Sequence, residues 1–316
     1  MQLSIICPTY NEINYIEKVY LSLIADDDIE KEILFADGGS TDGTREKIKE
    51  FASKNKNVHL INNPNKTATH GFNIAFKYAK GKYIAFVGAH AEYDVNYFKY
   101  ALKYLEADDC DAVGGPLIQK GKGTIGEAIA CVMSSKFGVG NTEFRTMKEK
   151  MYVDSVAFAV YKREIFDKAG LLDSSLKVNQ DDEFHYRINK LGYRILMVPE
   201  MKATYYVRGN LKSLFKQYFN YGLYKPLVLK KVKGSMRVRH IIPSLFCLYL
   251  ILLSLVYYFP IILVPLFLYL LIIVLVSFSF KINFKSKLLA ILVFPTLHVS
   301  YGTGFIIGLL KIKKLG

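Results

Sequence analysis

The chain has 316 residues, enough for one large domain with a sizeable core and an appendage. Its formal net charge of +14 favours acidic partners, so nucleic acid, anionic lipid and phosphorylated substrates all fit. The four cysteines are scattered and form no CxxC pair, which argues against a disulfide framework or a zinc site.

No basic n-region followed by an apolar h-region opens the chain, so no signal peptide is expected and the first half is expected to lie in the cytoplasm. Gln2–Cys7 reads as a strand, Pro8-Thr9-Tyr10-Asn11-Glu12 as a loop, and Ile13–Ala25 has helical spacing. Glu32–Ala36 is a second strand, and Asp37 with the polar run Gly38–Thr44 leads into a helix over Arg45–Ser53. Val58–Asn62, the turn Asn63–Lys66 and the helix Thr69–Ala79 follow. Strand and helix alternate at short intervals, which predicts an α/β domain with a mainly parallel sheet.

Tyr83–Val87 is a short apolar run between Gly81 and Gly88, the pattern of a strand buried on both faces. Ligands of open α/β sheets sit beyond the carboxyl ends of the strands, so this strand is expected to deliver His90, with Glu92 near it, to a crevice. The plainer alternative is a capping turn with an incidental histidine. Further on, Asp111–Gln119 reads as a strand with a break at Gly114-Gly115-Pro116, Tyr152–Tyr161 as a strand, Ile125–Phe137 as a helix, and Asn179–Glu183 opens a helix running to Leu191 before the strand Arg194–Val198. Acidic residues in that helix's first turn complement its dipole.

Leu211, Leu214, Phe215, Tyr218 and Phe219 recur at helical spacing and are flanked by lysines and arginines up to Arg239. The pattern predicts an interfacial helix on an anionic leaflet over 211–240, against the alternative of an amphipathic helix on a globular core. Residues 241–316 form the expected membrane region. One span is predicted at about 241–259 and a second at about 261–280, joined near Pro260. The stretch 288–310 carries Pro295, His298, Ser300, Gly302 and Gly304, which lipid-facing backbone disfavours, so it is expected as a re-entrant segment, with a third span as the alternative. Basic residues before the first span place the catalytic part, residues 1–210, on the cytoplasmic face of the inner or plasma membrane.

Asp37, Asp42, Glu92, Asp181, Asp182 and Glu183 follow strands or open a helix. Each is a candidate metal ligand, nucleoside contact or base, and each has a helix-capping alternative. No G-x-G-x-x-G follows the first strand, no Walker A pattern occurs, and no nucleophile elbow supports hydrolysis. The cations crowd the membrane-proximal segment instead of forming a stripe with stacking aromatics, so no nucleic-acid partner is expected.

Pro8–Glu12, Asp37–Thr44, the strand ending at Ala89-His90, and Gln180-Asp181-Asp182-Glu183 with Arg187 and Gly192 together resemble glycosyltransferase family 2 over roughly residues 1–225. Phe137-Gly138-Val139-Gly140-Asn141, Val153–Val156 and Gln217–Gly222 extend the likeness to membrane-attached glucosyltransferases of the succinoglycan-biosynthesis type. The resemblance implies a GT-A fold with a mainly parallel mixed sheet followed by membrane helices. It also implies inverting transfer from a nucleotide-sugar donor, UDP-sugar favoured, to a lipid-linked saccharide acceptor.

By the same resemblance Pro8, Tyr10, Glu12 and Asp37 hold the nucleoside, Asp37 facing the base, and Lys66 approaches the diphosphate. Asp181 matches the catalytic base, and Asp182 and Gln217 fall on the acceptor side. Gly88-Ala89-His90 matches the D-x-D or D-x-H turn that binds Mg²⁺ or Mn²⁺, with Gly88 in place of the first acid and His90 as the remaining ligand. Gly88→Asp is then expected to strengthen metal binding if the turn tolerates it. The departure at Gly88 keeps a degenerate, non-catalytic binding module open as an alternative. A polysaccharide synthase is weaker, since two or three spans make a poor channel and no clear Q-x-x-R-W is present.

Overall fold

The computed structural model describes residues 1–25, 28–140 and 149–315, the last three by backbone alone. Asn141 and Gly316 lie outside the described residues. The chain divides into two compact units, Met1–Ile118 with the described part of Glu143–Tyr205, and 119–140 with 206–315.

The first unit is built on an eight-stranded sheet of order β3-β2-β1-β4-β9-β6-β10-β8. Its parallel half is β1 (Leu3–Thr9), β2 (Lys31–Asp37), β3 (Val58–Asn62) and β4 (Tyr83–Phe86). β1 and β2 are apolar and buried almost throughout, as a sheet covered on both faces requires. Helices α1 (Ile16–Ile24), α2 (Thr44–Lys54) and α3 (Ala68–Phe76) connect them. The Thr67 hydroxyl caps α3 by accepting the His70 N–H. The short strand β5 (Ala91–Tyr93) and helix α4 (Tyr97–Glu106) come next. α4 buries Tyr97, Phe98, Ala101, Leu102 and Leu105 on one face, a helical stripe in a stretch to which the sequence reading assigned no element.

Two runs read as strands are each split, the first at its expected Gly114-Gly115-Pro116 break. Asp111–Gln119 forms β6 (Ala112–Gly115) in the large sheet and β7 (Leu117–Lys120) in a three-stranded sheet with β5 and β11, broken at Pro116, which has no N–H for a ladder. Tyr152–Tyr161 forms β8 (Met151–Tyr152) and β9 (Ala157–Lys162). β9 runs antiparallel between β4 and β6, so the sheet is mixed. Helices α7 (Glu164–Ala169) and α8 (Gln180–Lys190), then β10 (Ile195–Met197) and β11 (Ala203–Tyr206), complete the unit. Its core is aromatic: Phe166 stacks on Phe184 with ring centroids 5.1 Å apart, and Phe72 and Tyr161 pack against Phe166.

The second unit is helical: α5 (Gly123–Met133), α6 (Lys136–Val139), α9 (Leu211–Lys231), α10 (Val238–Leu252), α11 (Leu263–Ser279) and α12 (Phe284–Leu315). Three segments, Val238–Leu255, Pro260–Ser279 and Phe284–Ile312, are long and apolar enough to cross a membrane. Tyr257, Ile261, Phe267 and Leu275 are exposed, an apolar surface that a bilayer would cover.

Here the structure departs from the sequence reading twice. The stretch 288–310 is part of one continuous helix and not a re-entrant hairpin. Its small residues are packing positions: a Cβ on Gly304 would lie 2.1 Å from the Phe219 carbonyl of α9, and one on Gly302 2.2 Å from the Pro243 carbonyl of α10. Likewise α9 does not offer a free amphipathic face. It buries Leu214, Tyr218, Gly222 and Leu227 and lies along α12, with Gly222 against the Tyr301 carbonyl. His298 is inward as well, within 3.0 Å of both the Tyr269 hydroxyl and the Phe137 carbonyl.

Because the clash at Gly304 is with backbone, no rotamer relieves it. Gly304→Val should therefore destabilise the helical unit by about 2 kcal/mol or more, seen as a lowered melting temperature in detergent. An unchanged melting temperature would mean α9 and α12 do not pack as closely as described.

Candidate active site

The loops that leave the carboxyl ends of β1 and β2 are laced to each other. Asn11, at φ +55°, donates its N–H to Ser40 Oγ at 2.8 Å and accepts from Thr41 N–H at 2.9 Å. Glu12 N–H donates to Thr44 Oγ1 at 2.8 Å, and Ile13 N–H to Asp42 at 3.1 Å. Asp42 in turn accepts from the Thr44 hydroxyl at 2.6 Å at the head of α2.

Asp37 anchors this lacework. It is fully buried and accepts from Gly39 N–H at 3.0 Å, the Ser40 hydroxyl at 2.6 Å and Arg45 Nη1 at 2.9 Å. Arg45 Nη2 donates onward to Asn62 on β3. A carboxylate this buried needs its own donors, and the β2 loop with Arg45 supplies them.

Tyr10 is the exposed ring of the β1 loop, and Lys66 Nζ lies 5.6 Å from its centroid. Lys66 has φ +60° on the β3 loop. Pro8 is within β1. Tyr10, Glu12 and Lys66 are thus positioned by neighbouring loops at one end of the parallel strands.

After β4 the chain turns through Gly88–His90. His90 Nδ1 lies 3.2 Å from Glu12 Oε1, and its ring meets Tyr205 edge-on at 5.0 Å. Glu92, on β5, pairs with Lys18 at 3.9 Å. The space where a side chain at Gly88 would begin is taken by Phe158: a Cβ there would lie 2.7 Å and 2.9 Å from two of its ring carbons. Among the described residues no three His, Cys, Asp or Glu side chains converge on a point where a metal would sit. With Gly88 in place of an acid and its side-chain space filled by Phe158, the turn offers His90 beside Glu12 but no carboxylate of its own at 88, and Gly88→Asp alone meets a ring and not a vacancy.

Asp181 lies in the first turn of α8, its Oδ1 accepting Asp182 N–H at 2.9 Å. One turn on, Glu183 is buried and pairs with Arg187 through both guanidinium edges, Nε at 2.8 Å and Nη2 at 2.9 Å. Arg187 also donates to the carbonyls of Ala169 and Leu171, so this pair fastens α8 to the turn after α7.

Four residues after Asp181, His185 is fully buried between the Ser155 hydroxyl at 3.0 Å and the Tyr161 hydroxyl at 2.8 Å. Burial pushes the imidazole down to about 4, against a weaker pull upward from Asp182. Burial, and secondly the charge of Asp181, push the Tyr161 phenol well above its ordinary value. Gln217 belongs to α9 in the helical unit, where its Nε2 donates to the Tyr221 hydroxyl at 3.0 Å. His185, Tyr161, Arg45 and Phe158 were not singled out by the sequence reading. Only the i, i+4 spacing of His185 from Asp181 offered a signal.

A mixed sheet with laced loops at one end of its parallel strands, and an acidic helix start beyond, defines a GT-A glycosyltransferase. The chain belongs to glycosyltransferase family 2: it matches the Glycosyl transferase family 2 profile over residues 4–170, more than half its length. It is 31% identical over 242 residues to the "Succinoglycan biosynthesis protein ExoA" of Rhizobium meliloti, covering 76% of this chain and 73% of that protein. It is 30% identical over 239 residues to a Methanococcus voltae "Dolichyl N-acetyl-alpha-D-glucosaminyl phosphate 3-beta-D-2,3-diacetamido-2,3-dideoxy-beta-D-glucuronosyltransferase", covering 72% of this chain and 74% of that one.

Among solved structures, the mannosyltransferase PcManGT of Pyrobaculum calidifontis, bound to GDP-Man and Mn²⁺, aligns with a TM-score of 0.62 at 16% identity, covering 98% of this chain and 87% of that one. S. aureus TarS with UDP-GlcNAc aligns with a TM-score of 0.52 at 17% identity, covering 76% and 73%. These two likenesses bear on the fold.

The sign of the His185 shift makes a prediction. Its folded value lies below its unfolded one, so between about 6.5 and about 4 the unfolded chain binds a proton the folded chain refuses. Stability is then lost as pH falls through that window, by roughly 3 kcal/mol over its whole width. Unfolding measured at pH 7 and pH 5 should show a larger loss for the wild type than for His185→Gln. Equal losses would remove His185 as the source.

Proposed function

We propose that this chain is an inverting hexosyltransferase that moves a sugar from a nucleotide-sugar donor to a membrane-associated saccharide, built on a polyprenyl or related lipid phosphate, in cell-surface or exopolysaccharide synthesis. What carries the reading is the family 2 match together with Asp181 in the first turn of α8. The lipid-linked acceptor is supported by the dolichyl-phosphate-sugar relative and by three candidate transmembrane helices in this chain. A UDP-sugar donor is the favoured reading; neighbours of the fold carry UDP-GlcNAc and GDP-Man.

The residues take these parts. Pro8 at the end of β1, Tyr10 and Glu12 on the loop after it, and Asp37 at the end of β2 hold the nucleoside, Asp37 on the side of the base. The Lys66 ammonium faces the diphosphate and offsets the negative charge that grows on the leaving oxygen. An acceptor hydroxyl attacks the anomeric carbon from the face opposite the diphosphate. The new C–O bond forms as the bond to the phosphate oxygen breaks, the configuration inverts, and Asp181 takes the hydroxyl proton. Asp182, beside Asp181 in the first turn of α8, is assigned to the acceptor side. No step here depends on a metal held by the protein.

Residues 1–210 act as the catalytic part, on the cytoplasmic side, because Lys230, Lys231, Lys233, Arg237 and Arg239 flank the first apolar span. The segment 211–240 leads into three membrane spans.

Asp181→Asn should leave UDP affinity by calorimetry nearly unchanged and lower turnover about 10²–10⁴-fold, assayed with UDP- and GDP-sugars in a membrane lipid extract. Turnover within a few-fold of the wild type would take Asp181 out of the chemistry. Donor hydrolysis and transfer both missing from the wild type would favour a binding module.

A further inference from the structure

The turn Gly88–His90 and the first residues of β9 are packed as one device. Phe158 has φ +51°, a conformation side-chain-bearing residues rarely adopt. Two tyrosines hold it there. Tyr97 donates its hydroxyl to the Phe158 carbonyl at 2.8 Å, and the Phe158 ring meets Tyr93 edge-on at 5.6 Å. Tyr93 is itself buried, packs edge-on against Tyr97 at 5.1 Å, and accepts the Gly88 N–H at 2.8 Å. The ring thereby sits on Gly88, and the amide of the turn is occupied by a phenol.

Each element of this arrangement works against a carboxylate at position 88. A Cβ there would overlap two ring carbons, and the ring is backed by Tyr93 on one side and fixed through its own backbone on the other. A carboxylate there would also lie against the apolar Phe158 ring, which offers its charge no partner. His90, on the same turn, already faces Glu12.

We propose that the Gly88–Phe158 pair replaces the acidic half of a metal-binding turn with an aromatic wall, so that this chain holds no divalent cation tightly through its own side chains. The donor's diphosphate is then met at this turn by an apolar ring and the His90–Glu12 pair. A side chain at 88 can enter only if the Phe158 ring gives way.

The inference rests on reading this end of the sheet as the donor site, and its test separates the two. The full chain in detergent is titrated with Mn²⁺, followed by electron paramagnetic resonance, and separately with UDP in the presence of chelator. Wild type and Gly88→Asp should bind Mn²⁺ with affinities within about 3-fold of each other. Gly88→Asp combined with Phe158→Gly, which clears the ring and suits φ +51°, should bind at least about 10-fold more tightly.

Two results would overturn the inference: low-micromolar Mn²⁺ binding by the wild type that His90→Ala abolishes, or Gly88→Asp alone gaining as much as the double variant. If the double variant does not fold, the wild-type titration and the comparison with Gly88→Asp still decide. Failure of UDP to bind under chelator, with Mn²⁺ binding weak, would count instead against the donor-site reading.

Discussion

The carboxylate of Asp37 ends the most deeply buried strand of the sheet with a charge that no water reaches. A buried anion is tolerable only with a full set of donors, and the chain supplies them from the residues that follow: two amides, one hydroxyl and the Arg45 guanidinium. Meeting that demand folds the β2 loop back on itself. The folded loop then presents Ser40 and Thr41 to Asn11, and Thr44 to Glu12. The loop residues assigned to the nucleoside thus owe their positions to the Asp37 carboxylate.

The same logic explains which parts of the fold and site were legible in the sequence. β1 to β4 and the three helices between them follow from local pattern, because each strand is an apolar run and each helix opens after a polar loop. Asp181, Lys66 and His90 stand out through residue type and place in those loops. Phe158 does not. Its position depends on a backbone at positive φ, on the Tyr97 hydroxyl and on the Tyr93 ring, residues some sixty positions away. Asp37 was legible as important, but not as buried, since a strand-terminal Asp looks the same whether it faces a ligand or its own loop.

In the helical unit the difficulty was the meaning of small residues. Gly302, Gly304 and Gly308 interrupt an apolar run and suggest a broken helix when only lipid is considered as neighbour. Once α9 and α10 are the neighbours, a missing side chain is what lets one backbone approach another, and the helix continues through Phe284–Leu315. Polarity follows the same rule. His298 suits an apolar helix because Tyr269 and the Phe137 carbonyl satisfy both ring nitrogens.

The electrostatics of α8 complete the picture. Its first turn gathers Asp181, Asp182 and Glu183, and Glu183 is paired with Arg187 through both guanidinium edges. The nearest titratable group beneath, His185, carries no proton charge at neutral pH, because burial holds it down to about 4. A protonated imidazole one turn below Asp181 would attract its charge and weaken it as a base. A neutral histidine, tied to Ser155 and Tyr161, instead fixes the helix to β9 without adding charge. The three carboxylates of the first turn are favoured by the helix dipole, and a neutral His185 adds no positive charge beside the residue proposed to take the acceptor's proton.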